Sequence, residues 1–253
     1  MEVANEGFDE LKQNILNLLQ PTLQAPLNLV TNYSEDISAA LDKAETPDSF
    51  KQALQGIQEG SHQISEVVED FIALAEIKTG EAQNAFDLRA QPVPNVGMLL
   101  QMAAQEVKEE AETAGVTIET GQTGGKLPPV KIDYDGFFKG LSRFVAAMIK
   151  ACEIGSGSTI YLQAEAKTEE VRLSAWHDGQ SVSDELRMQI KALFTINSEK
   201  GIMGAAPFGP QLCLMKGVAD VNNAKIFLET TAEGFDKFVI VLPLYQEHAT
   251  MSM

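Results

Sequence analysis

Residues 50–80, FKQALQGIQEGSHQISEVVEDFIALAEIKTG, carry the repeat that decides the fold of the first part of this chain. Apolar or small side chains recur at steps of four and three, the seven-residue repeat of a helix that packs along a seam. The members of this seam are Phe50, Leu54, Ile57, Ser61, Ile64, Val68, Phe71 and Ala75. Thr46 and Pro47 form a typical helix start, and Gly80 is a suitable residue to end the helix.

Helical spacing also extends over residues 7–44, ahead of this helix. Two long helices joined by a short turn predict an antiparallel hairpin. A single hairpin cannot bury so long a seam, but two copies can close a four-helix bundle. We therefore predict a homodimer. Its interface residues are Leu54, Ile57, Ile64, Val68 and Phe71.

The first helix contains an unusual stretch, PTLQAPLNLV at residues 21–30, with prolines at Pro21 and Pro26. A proline inside a helix removes a backbone donor and clashes with the preceding turn, at a cost of about 3 kcal/mol. Two such residues within one helix therefore need an explanation beyond helix propensity.

The pattern changes at about residue 93, where helices begin to alternate with short strands. Amphipathic spacing predicts helices over residues 96–115, 133–152, 183–194 and 210–222. Alternating or short apolar runs predict strands over residues 116–120, 130–132, 159–166, 170–178, 225–231 and 237–244. Helices interleaved with a mostly antiparallel sheet give an α+β sandwich. The predicted domains are residues 1–85, the hairpin, and residues 93–247, the α/β sandwich.

Composition narrows the possible partners and location. The formal net charge of −17 over 253 residues disfavours nucleic acid and anionic membranes as partners. Two cysteines, Cys152 and Cys213, cannot form a disulfide framework, and the acidic start MEVANEGFDE has no signal-peptide character. A cytoplasmic location is expected. We predict that the methionines fill the core: Met98, Met102, Met148, Met188, Met203 and Met215.

Four local sequences resemble the bacterial sensor histidine kinases. PTLQAPL is similar to the H-E-L-R-T-P-L motif of that family, and ALAEIKTG to the end of its second bundle helix. IDYDGFFKGLSRFVAAMIKA is similar to the helix that carries the asparagine box, and KGVADVNNAKI to K-R-I-V-E-A-H-G-G-R-I. The resemblance extends over nearly the whole chain. It implies a dimerisation and phosphotransfer hairpin followed by an ATP-binding domain of the Bergerat type.

The resemblance accounts for Pro26, because the family commonly has a proline there that bends the helix. It also implies that Pro21 stands at the position of the phosphoacceptor histidine, where proline offers no nucleophile. Thr22 replaces the acidic residue that helps to activate that histidine.

The same resemblance implies a degenerate nucleotide site. Ala147 stands where an asparagine coordinates magnesium, and Arg143 replaces a second asparagine. His177 replaces the aspartate that accepts a hydrogen bond from adenine. The two glycine boxes are altered as well, because each keeps one glycine and loses the other. Their retained and substituted positions are Gly179, Ser181, Gly209 and Gln211, with Pro210 lacking a donor for phosphate.

The leading hypothesis is therefore a pseudo-histidine kinase: a non-catalytic scaffold or adaptor of two-component type, without catalytic residues, cofactor or metal. It would bind a kinase or a response regulator through its dimeric bundle, at a polar face formed by Asn28, Thr31, Asn32 and Glu35. An alternative is a protein that binds nucleotide, or that accepts phosphate at a non-standard residue such as His62. A third possibility is a sensor that binds another small molecule in the vestigial pocket.

Overall fold

The structure, a computed structural model, describes Leu23, residues 25–37, Ala39, residues 47–196, Ile202 and residues 208–246. The chain divides into two compact units, Met1–Ala75 and Glu76–Met253. Whether residues 1–85 and 93–247 fold as independent domains stays a prediction.

Two helices form the described part of the first unit: α1, residues 25–37, and α2, Pro47–Thr79, which continues into the second unit. Two glycines of α2 allow a close approach of α1. A Cβ atom at Gly56 would lie 2.1 Å from Cε2 of Tyr33, and one at Gly60 would lie 2.8 Å from Cγ2 of Val30. The contacts run in opposite directions along the two helices. The predicted antiparallel hairpin is therefore present.

The stripe of α2 that its own chain buries lies beside the predicted seam. Ala53, Gly56 and Gly60 are buried, whereas Leu54 is 53% exposed and Val68 is 41% exposed. Three further seam residues differ in burial: Ile57 and Ile64 are half-buried, and Phe71 is buried within the chain.

On α1, apolar spacing groups Leu23, Leu27 and Val30 on one face. In the single chain Leu27 is 47% exposed, while the neighbouring Pro26 is buried. The reason is the contact with Gly60, where the carbonyl oxygen of Pro26 would lie 3.1 Å from an added Cβ atom. A glycine carries no signal in an apolar pattern, so the inward face could not be located from hydrophobic spacing alone.

The second unit contains the remaining helices and all the described strands. Its helices are α3 (Glu81–Arg89), α4 (Gly97–Glu106), α5 (Lys108–Thr113), α6 (Tyr134–Ile154), α7 (Asp184–Ile196) and α8 (Gly209–Val221). Its strands are β1 (Gln91–Val93), β2 (Thr117–Thr123), β3 (Val130–Ile132), β4 (Thr159–Ala166), β5 (Glu170–His177), β6 (Lys225–Thr230) and β7 (Asp236–Pro243). Every element predicted beyond residue 93 is present. The predicted helix over 96–115 is divided into α4 and α5 by a turn at Val107.

Five strands form one sheet in the order β2-β4-β5-β7-β6, and β1 pairs with β3 in a separate two-stranded sheet. Only the β2–β4 pair of the larger sheet is parallel. Alternate residues of β5, such as Val171, Leu173 and Ala175, are buried on one face, on which the helices pack. The predicted α+β sandwich is confirmed.

The other face of this sheet is covered by side chains of the strands themselves. Trp176 stacks on Tyr161 with ring centroids 5.2 Å apart, and Nζ of Lys237 lies 5.1 Å from the centroid of Trp176. Arg172 crosses β7 to bond Glu229 on β6. Below these groups Ser174 is 6% and Val239 is 1% exposed. Long side chains with charged ends can shield apolar surface in this way.

Candidate functional site

The positions that the sequence resemblance assigns to a nucleotide lie on α6, at the end of β5, in the loop that follows β5, and at the start of α8. His177 is the last residue of β5 and is only 6% exposed. The backbone N–H of Gly179 donates to Nδ1 of His177 over 3.1 Å. Burial lowers the pKa of His177, against the opposite effect of Asp178 and Asp236. The imidazole is therefore neutral at pH 7, with its proton on Nε2.

Asp178, the next residue, is bonded to the start of β4. Its Oδ1 accepts hydrogen bonds from the backbone N–H groups of Ser158 at 2.7 Å and Thr159 at 2.9 Å, and its Oδ2 accepts one from Oγ of Ser158 at 3.1 Å. Burial favours a higher pKa for Asp178, but these hydrogen bonds outweigh it and lower the pKa. The carboxylate thus fastens the end of β5 to the start of β4.

Three glycines let the two loops at this point cross in contact. The N–H of Gln180 donates to the carbonyl of Gly155 over 2.8 Å. A Cβ atom at Gly157 would lie 2.6 Å from the nitrogen of Gly179, and one at Gly179 would lie 3.0 Å from the oxygen of Gly155. Gly179, the glycine retained from the first glycine box, therefore serves close packing between loops here.

The rest of the loop is fastened to the β6–β7 turn. Oγ of Ser181 donates to the carbonyl oxygen of Gly234 over 3.1 Å, and the N–H of Val182 donates to Oδ2 of Asp236 over 2.9 Å. Arg187 makes two hydrogen bonds to the same carboxylate, at 3.1 and 3.2 Å. The loop between β5 and α7 is thus held at both ends by hydrogen bonds.

On α6, Ala147 is buried and Arg143 is half-buried. A methyl group offers no oxygen to a magnesium ion, which binds oxygen ligands. At the start of α8, Gly209 is buried, and Pro210 and Gln211 follow in the first turn. Pro210 removes one of the N–H groups that a helix start can direct at a phosphate. At the positions that the sequence resemblance assigns to ATP and magnesium, the chain therefore offers no metal ligand at Ala147 and no backbone N–H donor at Pro210.

Phe208 precedes Gly209 and is fully buried. Its ring centroid lies 5.3 Å from that of Phe238, which is also 5.2 Å from Phe144 on α6 and 6.4 Å from Phe194 on α7. Phe144 lies one turn before Ala147. Aromatic side chains thus fill the space between α6 and the start of α8.

The residues predicted to bind a partner lie on α1 and are all exposed: Asn28, Thr31, Asn32 and Glu35. Oγ1 of Thr31 donates to the carbonyl oxygen of Leu27 over 2.9 Å, and Oγ of Ser34 donates to that of Val30 over 2.6 Å. Val30, Thr31, Ser34 and Glu35 line a shallow depression. On α2, His62 is exposed. Pro21 and Thr22 lie outside the described residues.

No protein-family model matches this sequence, and no curated protein matches it significantly. Solved structures do match. Histidine kinase ThkA in complex with the response regulator protein TrrA aligns over 97% of this chain and 67% of its own, with a TM-score of 0.59 and 17% identity. The Acinetobacter baumannii histidine kinase AdeS aligns over 88% and 98%, with a TM-score of 0.56 and 16% identity.

Full-length ShkA in complex with AMPPNP aligns over 94% of this chain and 47% of its own, with a TM-score of 0.55 and 16% identity. The chain has a histidine-kinase-like fold. At such identities the likeness concerns the fold alone, and it covers both the hairpin and the sandwich. The fold that the sequence motifs implied is therefore confirmed.

Two features of this histidine-kinase-like chain escaped sequence analysis. Asp236 binds Val182 and Arg187, which are 54 and 49 residues away in sequence. Phe208 meets Phe238 across the domain. The substituted glycine box beside Phe208 was the only available signal, and it gave no indication of which side chain fills the space.

Within the described ranges, no helix of the histidine-kinase-like chain combines the length and apolar character of a membrane span. Nor do the described residues contain a group of three His, Cys, Asp or Glu side chains that could hold a metal ion.

Proposed function

We propose that this protein is a non-catalytic signalling protein of two-component type. As a homodimer, it binds a response regulator or a histidine kinase through its helical hairpin. One observation carries the non-catalytic part of this proposal. His177 is buried and neutral at the adenine-reading position, and the nearby carboxylate of Asp178 is committed to Ser158 and Thr159.

The remaining contacts at the site support the same conclusion. A nucleotide would need an acceptor for its adenine amine, an oxygen ligand for its metal and N–H donors for its phosphates. His177, Ala147 and Pro210 stand at those three positions. Phe208 is packed on Phe238 beside them. Lost hydrogen bonds to charged groups each cost about 1.5–3 kcal/mol, so two such losses weaken a micromolar site to about millimolar.

The signalling part of the proposal rests on the fold. ThkA, similar in structure over 97% of this chain, was solved in complex with the response regulator protein TrrA. We propose a protein of the same kind as the partner here, in the cytoplasm. The docking surface is the exposed face of α1 that contains Asn28, Thr31, Asn32 and Glu35.

The hydrogen bonds on α1 suit such an interface. The hydroxyls of Thr31 and Ser34 are already bonded to carbonyls of their own helix. Their burial under a partner therefore leaves no unpaired donor, which keeps the cost of desolvation low. Leu27, 47% exposed and one turn before Thr31, adds an apolar contact to this polar face.

Titration calorimetry with AMPPNP and magnesium tests the loss of nucleotide binding. We expect a dissociation constant above about 1 mM. A constant below about 100 μM would establish a functional nucleotide site and support the enzyme alternative.

Pull-down of purified receiver domains from the same genome tests the docking surface. We expect Asn28→Arg with Asn32→Arg to abolish binding of the receiver that the wild type retains, because two long cations replace exposed amides. The control, Gln83→Arg with Asn84→Arg, adds the same charge on α3, where both residues are exposed. Equal loss in both double variants would show a general charge effect and refute the docking site.

Phosphotransfer through His62 is the competing function, since this side chain is accessible on α2. Incubation with phosphorylated receiver domains should leave the protein unlabelled. Acid-labile label that disappears in His62→Ala would establish the competing function instead.

A further inference from the structure

Methionines in this protein fall into two groups, which the sequence did not separate. Met148 and Met215 are fully buried, as core filling requires. Met98, Met102 and Met188 are instead 54%, 39% and 66% exposed, so the prediction of core filling is wrong for these three. Met203 lies outside the described residues. Exposed thioethers are unusual enough to indicate a contact surface when they cluster with other apolar groups.

Two of the exposed methionines belong to such a cluster. Met98 and Met102 lie one turn apart on α4, and Tyr134 and Phe138 lie one turn apart on α6. The Tyr134 hydroxyl is 3.2 Å from Sδ of Met102, and the Tyr134 and Phe138 rings stack with centroids 6.5 Å apart. Both rings are half-buried. We call these four residues the methionine patch.

The next turn of each helix closes this surface with a polar contact. Glu106 follows Met102 by four residues, Ser142 follows Phe138 by four, and the Ser142 hydroxyl donates to Oε2 of Glu106 over 2.9 Å. The patch thus lies along two packed helices, with an apolar portion at Met102 and Tyr134 and a carboxylate one turn further on.

Three exposed acidic side chains lie near the patch: Asp135 in the first turn of α6, Glu106 on α4 and Glu109 on α5. The cations among them have partners within the chain, since Nζ of Lys108 lies 3.7 Å from Glu112, and Lys139 and Arg143 have interactions of their own. The whole chain also has a formal net charge of −17. This part of the surface therefore favours a cationic partner.

We propose that the methionine patch binds a basic amphipathic helix of a partner protein. An apolar stripe of such a helix would lie on the two thioethers and two rings, and its Lys or Arg side chains would meet Asp135, Glu106 and Glu109. Helices α4 and α6 pack on each other, so that a third helix can lie along the pair, and methionines adapt to side chains of different shape. This surface is separate from the face of α1 and does not depend on the proposed function.

A fluorescent model peptide supplies the test: a 14-residue amphipathic helix of Leu and Lys, compared with the same peptide carrying Glu in place of Lys. With the full-length protein, anisotropy should give a dissociation constant of about 10 μM for the Lys peptide and at least about tenfold weaker binding for the Glu peptide. Added salt should weaken binding of the Lys peptide, because its contacts with the carboxylates are exposed to solvent. Failure of the Lys peptide to bind below about 1 mM would refute the proposal.

Matched variants locate the binding site. Met98→Glu with Met102→Glu should weaken binding of the Lys peptide by at least about fivefold, because the loss of the apolar contact outweighs the attraction of two added carboxylates. Met188→Glu adds charge at an exposed methionine on α7 and should not weaken binding. Equal loss in both variants, or no loss in the double variant, would overturn the assignment.

Carbon-13 labelling of the methionine methyl groups gives an independent readout that needs no variant of altered charge. Addition of the Lys peptide should shift the signals of Met98 and Met102 and leave those of Met148 and Met188 in place. Shifts confined to Met188, or an unchanged spectrum at saturating peptide, would show that the peptide binds elsewhere.

Discussion

Asp178 shows how a single carboxylate can set the geometry of the loop that follows β5. Its oxygens accept three hydrogen bonds from Ser158 and Thr159, and its pKa is lowered as a result. Asp178, next to His177, is therefore a structural residue in this protein. It stabilises the crossing of two loops.

We expect Asp178→Asn to lower the free energy of unfolding by about 1.5–3 kcal/mol at pH 7, because a neutral amide replaces the charged acceptor and its NH2 group cannot accept the bond from the Ser158 hydroxyl. A lowered pKa stabilises the fold above the pKa of the unfolded chain, and this stabilisation is lost as the pH falls through the folded-state value. The difference between wild type and variant should therefore shrink in acid. Urea unfolding at several pH values measures it.

The control is Asp87→Asn, which removes an exposed carboxylate on α3. A pH-independent difference for Asp178→Asn would contradict the role of its charge.

The thiols give a second expectation for single residues. Cys152 is fully buried, and burial, reinforced by Asp178, raises its pKa to about 11; Cys213 is 3% exposed. Thiolate is the reactive form, so neither cysteine should react with Ellman's reagent in the native protein at pH 8. Unfolding in guanidinium should make both thiols reactive. Rapid reaction of one thiol per chain in the native protein would contradict this expectation.

At the scale of elements, the approach of α1 to α2 depends on glycine. The methyl group of Gly56→Ala would collide with the ring of Tyr33. Overpacking of this kind costs about 1–3 kcal/mol. We expect Gly56→Ala to reduce stability by this amount in chemical unfolding, whereas Ser61→Ala, at an exposed position of the same helix, should not.

A double-mutant cycle identifies the colliding group. If the ring causes the strain, Gly56→Ala should cost much less in a Tyr33→Ala background than in the wild type. Strictly additive losses would mean that the methyl group strains another part of the hairpin.

These elements also show what the sequence could reveal. The strands β4 and β5 were predictable because a buried face leaves an alternating pattern, and β7 because it is a short apolar run. Helix α3 was missed because Phe86 is its one buried residue. Strand β1 was missed because it has three residues, including Pro92. The predicted seam of α2 lies beside the face that packs on α1, because Gly56 and Gly60 of that face do not contribute to an apolar pattern.

The candidate site was predictable only in part, for a related reason. Substitutions such as Ala147 and His177 can be recognised directly, since each position lies within a local motif. The packing of Phe208 on Phe238 and the binding of Val182 by Asp236 join distant segments, and no local pattern contains them.

For the whole molecule, the exposed side of α2 predicts assembly. Leu54, Val68 and Ile72 are 53%, 41% and 54% exposed in a single chain. Pairing of two hairpins would bury this stripe. Light scattering should therefore report about twice the chain mass of 27.5 kDa. A monodisperse monomer at micromolar concentration would contradict the dimer.

Charged substitutions in this exposed stripe of α2 should prevent dimerisation. We expect Leu54→Glu with Val68→Glu to give a monomer that keeps its helical circular dichroism, since both positions are already exposed. Phe71 is unsuitable for this test because its own chain buries it. Leu88→Glu is the control, at a leucine on α3 that is 88% exposed, and should remain dimeric.

The strand order of the sheet has a consequence for synthesis on the ribosome. Strand β7 is made after every other described strand, yet it lies between β5 and β6 and pairs with both. Until it emerges, β5 has an open edge, and Phe238 is not yet present to receive Phe144, Phe194 and Phe208. The hairpin, whose contacts are close in sequence, can fold early. During synthesis the incomplete sandwich therefore exposes the unpaired edge of β5. We expect this domain, more than the hairpin, to need protection by a chaperone.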